Sequence, residues 1–204
     1  MSDASTQRNL ITPARLEAFS DGVIAIAITL LIIELHVPEV EEGGSLWNGL
    51  EQILPNIAAF VISFTTIGVM WINHHNLFRV IRHVDQTALV LNALLLLMVT
   101  FINFPTAVLG EYLLTDQFQN ATIFYTGTFL VTAIAFNLLW RYASYKDRLL
   151  GSSPDRNITN AVWRNYNVGL VAYAVTFIIA FISPTLAILI TFGLAIFFAL
   201  PIQR

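Results

Sequence analysis

The chain has 204 residues, 56% of them hydrophobic and 11% charged, with a mean hydropathy of +0.70. A soluble domain carries about 25% charged residues, so this composition excludes a water-soluble globule and defines an integral membrane protein. The absence of cysteine removes disulfides and thiolate metal sites, and no basic patch is interleaved with aromatics as a nucleic-acid partner would require.

A spanning helix needs about 20 mostly apolar residues. Six segments meet this in chain order, at 14–36, 50–78, 84–110, 119–146, 160–182 and 184–202. The punctuation between them supports the breaks. "HVPEVEEGGS" separates the first two, "KDRLLGSSPDRN" separates the fourth and fifth, and Ser183-Pro184 makes a tight turn before the last. The expected architecture is all-α, one six-span domain over 1–204. Ala25-Ile26-Ala27 matches a signal-cleavage tripeptide, but it lies inside the apolar run, so the first segment is expected to be retained.

Charge sets the orientation. With six spans, one face receives Arg8, Arg15, Arg79, Arg82, Arg141, Lys146, Arg148, Arg156, Arg164 and Arg204, which are all ten Lys and Arg of the chain. The opposite face receives Glu39, Glu41, Glu42, Glu51, Glu111 and Asp116. Both termini are therefore expected on the cytoplasmic side.

The first segment is unlike a lipid anchor. Its charge-free run, Gly22 to Ile33, covers about 18 Å of helix against a hydrocarbon core of about 30 Å. Asp21 and Glu34 bracket it. Carboxylates at such depth face protein or water, so the helix is expected inside an assembly, its ends in water-filled vestibules. At 100° per residue, Phe19, Gly22, Ile26, Thr29, Leu30 and Ile33 form one stripe, with Asp21 on the far side and Ser20 well off it. Ordinary core packing produces the same spacing, so the stripe alone does not decide between a pathway and a core.

Other polar residues lie in the spans. The second ends "MWINHHNLFRVIRHVD", where Trp71, His75 and Phe78 share a face and His74 sits beside them. Adjacent histidines project about 100° apart on a helix and chelate poorly, and no HExxH or carboxylate stands at ligand spacing, so no metal is expected. A histidine hydrogen-bonded to a carboxylate such as Asp21 fits better, since an unsatisfied polar group in lipid is expensive. A pH sensor or proton relay is the functional alternative, giving a proton-coupled transporter that uses Asp21 and the His74/His75 pair. Pro105 is expected to kink the third span. Asn92, Asn103 and Asn137 fit helix-to-helix glue. Nothing resembles a catalytic constellation, so an enzyme is not expected.

"RLEAFSDGVIAIAITLLIIEL" resembles the signature Arg-x-x-x-Phe-Ser-Asp helix of the transmembrane protein 175 family, the bacterial relatives of the lysosomal potassium channel. "WINHHNLFRVI" and "FPTAVLGEY" resemble that family's second and third helices. The second half of the chain matches in span count and hydropathy only. The resemblance implies a potassium-preferring cation channel in the bacterial plasma membrane, with no cofactor and no TVGYG filter. The animal proteins carry two six-span repeats, so a single-repeat chain is implied to be a homotetramer with four copies of the first helix around the pore. Ile26 would form the tightest ring, Leu30 and Ile33 would continue it, and Thr29 would add a hydroxyl ring. Phe19, Ser20 and Asp21 are implied to hold the helix through polar contacts, with Arg15, Trp71 and His75 as candidate partners.

Overall fold

A computed structural model describes residues 12–40, 42–151 and 154–199. Arg8, Glu41, Arg204 and positions 200–202 of the expected last span lie outside the described residues. Within them the chain is helical, and no strand is found among the described residues. Helix α1 runs Pro13–Leu30 and tightens into a 3-10 turn at Leu31–Glu34. Pro13 suits its first turn, where a missing N–H costs nothing, and the Thr12 hydroxyl accepts from Arg15 N–H at 3.3 Å.

Two expected single helices are each broken. The segment expected at 50–78 divides at Ile53 into α2, Leu46–Gln52, and α3, Leu54–Phe78. Pro55 in the first turn of α3 explains the division, because proline starts a helix but cannot continue one. The segment expected at 84–110 divides at Ile102 into α4, Gln86–Phe101, and α5, Asn103–Tyr112. The break falls upstream of Pro105 because the residue deprived of a donor is the carbonyl four positions earlier, at Phe101. Helix α6 runs Phe118–Ser144, α7 Arg156–Ala180 and α8 Pro184–Ala199. Helix α7 starts four residues before the expected 160, because the Asp155 carboxylate caps it by accepting from Asn157 and Ile158 N–H.

Among the described residues, four helical stretches are long and apolar enough to cross a membrane: Pro13–Glu34, Leu54–Phe78, Gln86–Tyr112 and Phe118–Asp147. Helix α8 is apolar but shorter, and α7 is long but carries more polar residues.

Helix α6 is the central post. It packs on α4, α5, α7 and α8 and contributes the fully buried Tyr125, Phe129 and Trp140. A directional chain of hydroxyls ties it to its neighbours. Tyr125 OH donates to Ser63 Oγ at 2.9 Å, Ser63 to Thr106 Oγ1 at 2.7 Å, and Thr106 to the Ile102 carbonyl at 2.7 Å. The last donation fixes the polarity of the rest. Asn137 donates to the Tyr166 carbonyl on α7 at 2.9 Å, the interhelix role expected of it, whereas among the described residues Asn103 bonds only locally, to the Thr100 carbonyl. Helices α3 and α5 approach so closely that a Cβ on Gly110 would lie 3.0 Å from the Asn56 Cα.

Helix α1 lies at the edge of this bundle, against α3 and α4. On the side of the molecule where the basic residues gather, the α6–α7 connection docks on the α3–α4 loop. The Leu149 carbonyl accepts from Arg82 and His83 N–H, and Leu149 and Leu150 are buried.

Candidate functional site

The two faces of α1 differ in chemistry. Leu16, Ser20, Ile24, Ala27 and, in the 3-10 turn, Leu31 are buried against α3 and α4. The opposite face carries the stripe Phe19, Gly22, Ile26, Thr29, Leu30 and Ile33, and every member is exposed. Phe19 is 61% exposed, Ile26 60%, Leu30 40% and Ile33 63%, which rules out a role in the core of the single chain. The Thr29 hydroxyl donates back to its own helix, to the Ile26 carbonyl at 2.9 Å and the Ala25 carbonyl at 3.0 Å. That bond leaves the oxygen's lone pairs available on the exposed face.

The orientation of α1 is held by polar contacts confined to its first half. Ser20 is fully buried, and its Oγ donates to the Leu16 carbonyl at 2.9 Å. It therefore accepts from Asn92 Nδ2, also at 2.9 Å. The Asn92 oxygen then faces His74 Nε2 at 3.0 Å, so Nε2 carries the proton and donates. One chain of bonds thus joins α1, α4 and α3 through buried side chains. The His74 ring stacks on Phe78, centroids 4.6 Å apart.

A second set lies beside it. Trp71 Nε1 donates to Asp21 Oδ1 at 2.9 Å, and His75 Nδ1 donates to Glu17 Oε1 at 2.8 Å. Glu17 and Asp21 are one turn apart on α1, and Trp71 and His75 are one turn apart on the antiparallel α3. The two bonds form adjacent rungs.

The sequence-derived site residues divide accordingly. Asp21 and Trp71 come together. His75 meets Glu17 rather than Asp21. Ser20 turns inward to Asn92 and His74. Phe19 belongs to the exposed stripe and not to the polar cluster. Arg15 is exposed, and its guanidinium makes no hydrogen bond or ion pair among the described residues. Phe78, expected on the face of Trp71 and His75, is buried with His74 instead. Sequence reasoning missed Glu17 and gave Asn92 no partner. The signal for Glu17 was present, since two i, i+4 pairs of complementary chemistry on consecutive antiparallel helices can zip together. No group of three or more His, Asp or Glu that could hold a metal occurs among the described residues.

This is a multi-pass helical membrane protein whose first helix is clamped by polar bonds on one side and bare on the other. The family model for the endosomal/lysosomal potassium channel TMEM175 matches residues 15–103. A potassium channel of Chamaesiphon minutus is 46% identical over 188 residues, covering 91% of this chain and 93% of that protein. A potassium channel of Streptomyces collinus is 39% identical over 175 residues, 85% of each chain. The crystal structure of the lysosomal potassium-selective channel TMEM175 homolog from Chamaesiphon minutus aligns with a TM-score of 0.85 at 42% identity, over 94% of this chain and 98% of that one. The chain belongs to the TMEM175 family.

Proposed function

We propose that the protein is a homotetrameric, potassium-preferring cation channel of the bacterial plasma membrane, with α1 of each subunit lining a central pore. The observation that carries this reading is the bare apolar stripe on α1, opposite a face locked by buried hydrogen bonds. A lipid anchor needs no fixed rotation about its axis. A pore helix does, because the same residues must meet the ion in every copy. The relatives named as potassium channels, matched over nearly the whole chain, support potassium as the permeant ion.

In the assembled pore Ile26 forms the narrowest ring, Leu30 and Ile33 continue it, and Thr29 supplies hydroxyl oxygens between them. A narrow apolar constriction dewets and stops ions until it widens, so gating needs no TVGYG filter and no cofactor. The chain crosses the membrane six times, with α7 and α8 as the last two spans and both termini cytoplasmic. Glu39, Glu42, Glu51, Glu111 and Asp116 then lie at the outer face and concentrate cations at the mouth.

The test is ion flux from proteoliposomes under potassium and sodium gradients, comparing wild type with Ile26→Asn. Potassium flux in the wild type, with rate or selectivity changed several-fold in the variant, is the expected result. Identical flux in the two proteins would remove the constriction from α1. Flux only under a proton gradient would transfer the reading to a proton-coupled transporter.

A further inference from the structure

We propose that the basic end of the α6–α7 surface is a binding site for an anionic phospholipid of the cytoplasmic leaflet, with Arg141 and Arg164 receiving the headgroup phosphate. The inference rests on the orientation proposed above but not on ion conduction.

Two observations combine. The first is an accounting of charge. Five carboxylates among the described residues lie on the basic side, and all are engaged within the chain. Glu17 meets His75, Asp21 meets Trp71, Asp85 accepts from Tyr142 and Ala88, Asp147 pairs with Arg156, and Asp155 caps α7. Arg141 has no carboxylate partner among the described residues. Its guanidinium stacks over the Trp163 ring at 5.2 Å and, among the described residues, donates only to the Asn167 side-chain oxygen, at 3.4 Å. The stacking holds the planar fork in place and leaves most of its donors unspent. Arg164 follows Trp163 in the sequence, is exposed, and has no ion pair among the described residues. A guanidinium fork matches phosphate oxygens two at a time, which a lysine does not. Tryptophan and arginine at this level are a membrane-interface combination.

The second observation is what continues from each arginine. On α7, Arg164, Val168, Val171, Val175 and Ile178 recur at intervals of three and four, and the four apolar members are exposed. On α6, Val131, Ile134 and Leu138 are exposed along the face that ends at Arg141. From Val168 to Ile178 the α7 stripe is about 15 Å long. That is half the hydrocarbon thickness, the reach of one leaflet. A charged head joined to an apolar tail of one leaflet's length describes a phospholipid. A second copy of the chain on this face would bury two guanidinium groups with no counter-charge, which is unfavourable.

The experiment is native mass spectrometry of the full chain, released from vesicles of equal phosphatidylglycerol and phosphatidylcholine with matched acyl chains. Retention of phosphatidylglycerol is expected to exceed that of phosphatidylcholine several-fold. It should fall to parity in the double variant Arg141→Gln, Arg164→Gln, and persist in Arg156→Gln, whose charge is paired with Asp147. The pair Arg141→Lys, Arg164→Lys should recover part of the preference. Equal retention by the wild type, or an unchanged preference in the glutamine double variant, would overturn the assignment. So would a loss of preference that comes with a loss of helical content in the glutamine double variant, because it would then trace to a damaged helix face. A changed oligomeric state in the double variant with lipid preference intact would give this face to a second copy.

Discussion

The two halves of α1 are held by different forces. Residues 15–21 carry three side-chain bonds to neighbouring helices, through Glu17, Ser20 and Asp21. Among the described residues, no side chain from Gly22 to Glu34 hydrogen-bonds a neighbouring helix, and Ile24, Ala27 and Leu31 are held there by apolar contact. Hydrogen bonds fix a rotation angle, whereas apolar contact tolerates sliding and small tilts. On the proposed reading, the first half sets which residues face the pore, and the second half is free to change how far apart they stand.

Substitutions can break or sharpen this contrast. The largest effect is expected from Asn92→Leu. It leaves the His74 donor unpaired in the interior and removes Ser20's partner, at a cost of roughly 3 kcal/mol in thermal unfolding of the detergent-solubilised protein. A loss under 1 kcal/mol would mean that the buried chain of bonds does not position α1. Trp71→Phe removes a single N–H from Asp21 and should cost about 1.5 kcal/mol. The same loss in an Asp21→Ala background, where no acceptor remains, would show that the indole acts elsewhere.

Asp85 tests the basic end of the bundle through pH. Partial burial works to raise its carboxyl, but hydrogen bonds from Tyr142 and Ala88 and the nearby Arg148 charge outweigh burial and hold it below the ordinary value. Its ionised form therefore stabilises the fold fully above the ordinary carboxylate range. That contribution is lost as pH falls through the lower value it has in the fold. Asp85→Asn keeps a capping oxygen but removes the charge that Tyr142 and Arg148 favour, so it should lower stability by about 1 kcal/mol at neutral pH, and the gap to wild type should close in acid. A gap independent of pH would exclude the charge as its source.

The smallest effect on stability belongs to the exposed half. Ile26→Asn should change unfolding by under about 0.5 kcal/mol, because the side chain is exposed in the subunit, while altering flux several-fold. A large stability loss with unchanged flux would place Ile26 in a packing role.

The helices were legible because apolar runs stand between polar loops, although only four of the described stretches are both long and apolar enough to cross a membrane. The break at Ile102 was legible as the kink expected from Pro105, though not its place, since proline acts upstream of its own position; the break at Ile53 was missed although Glu51, Gln52, Pro55 and Asn56 interrupt the apolar run there. The early start of α7 was hidden by the polar run Arg156-Asn157-Ile158-Thr159-Asn160, and the Asp155 cap was the overlooked cue. On α1 the stripe followed from periodicity alone. Its polar partners did not, because which helix faces which is a tertiary fact. Glu17 and His75 were each visible, and only the antiparallel register of α1 and α3 joins them.

The 3-10 turn at Leu31–Glu34 governs how the stripe ends. Side chains three apart eclipse in such a turn, so Ile33 follows Leu30 nearly straight along the axis instead of drifting around the helix. At about 1.5 Å per residue to Leu30 and about 2.0 Å beyond it, Ile26, Leu30 and Ile33 span about 12 Å. Four such rows side by side would make a sleeve rather than a single ring, and its apolar wall would be several water diameters long. One alanine inserted between Gly22 and Ile26 would leave every clamp intact and turn the whole sleeve by about 100°.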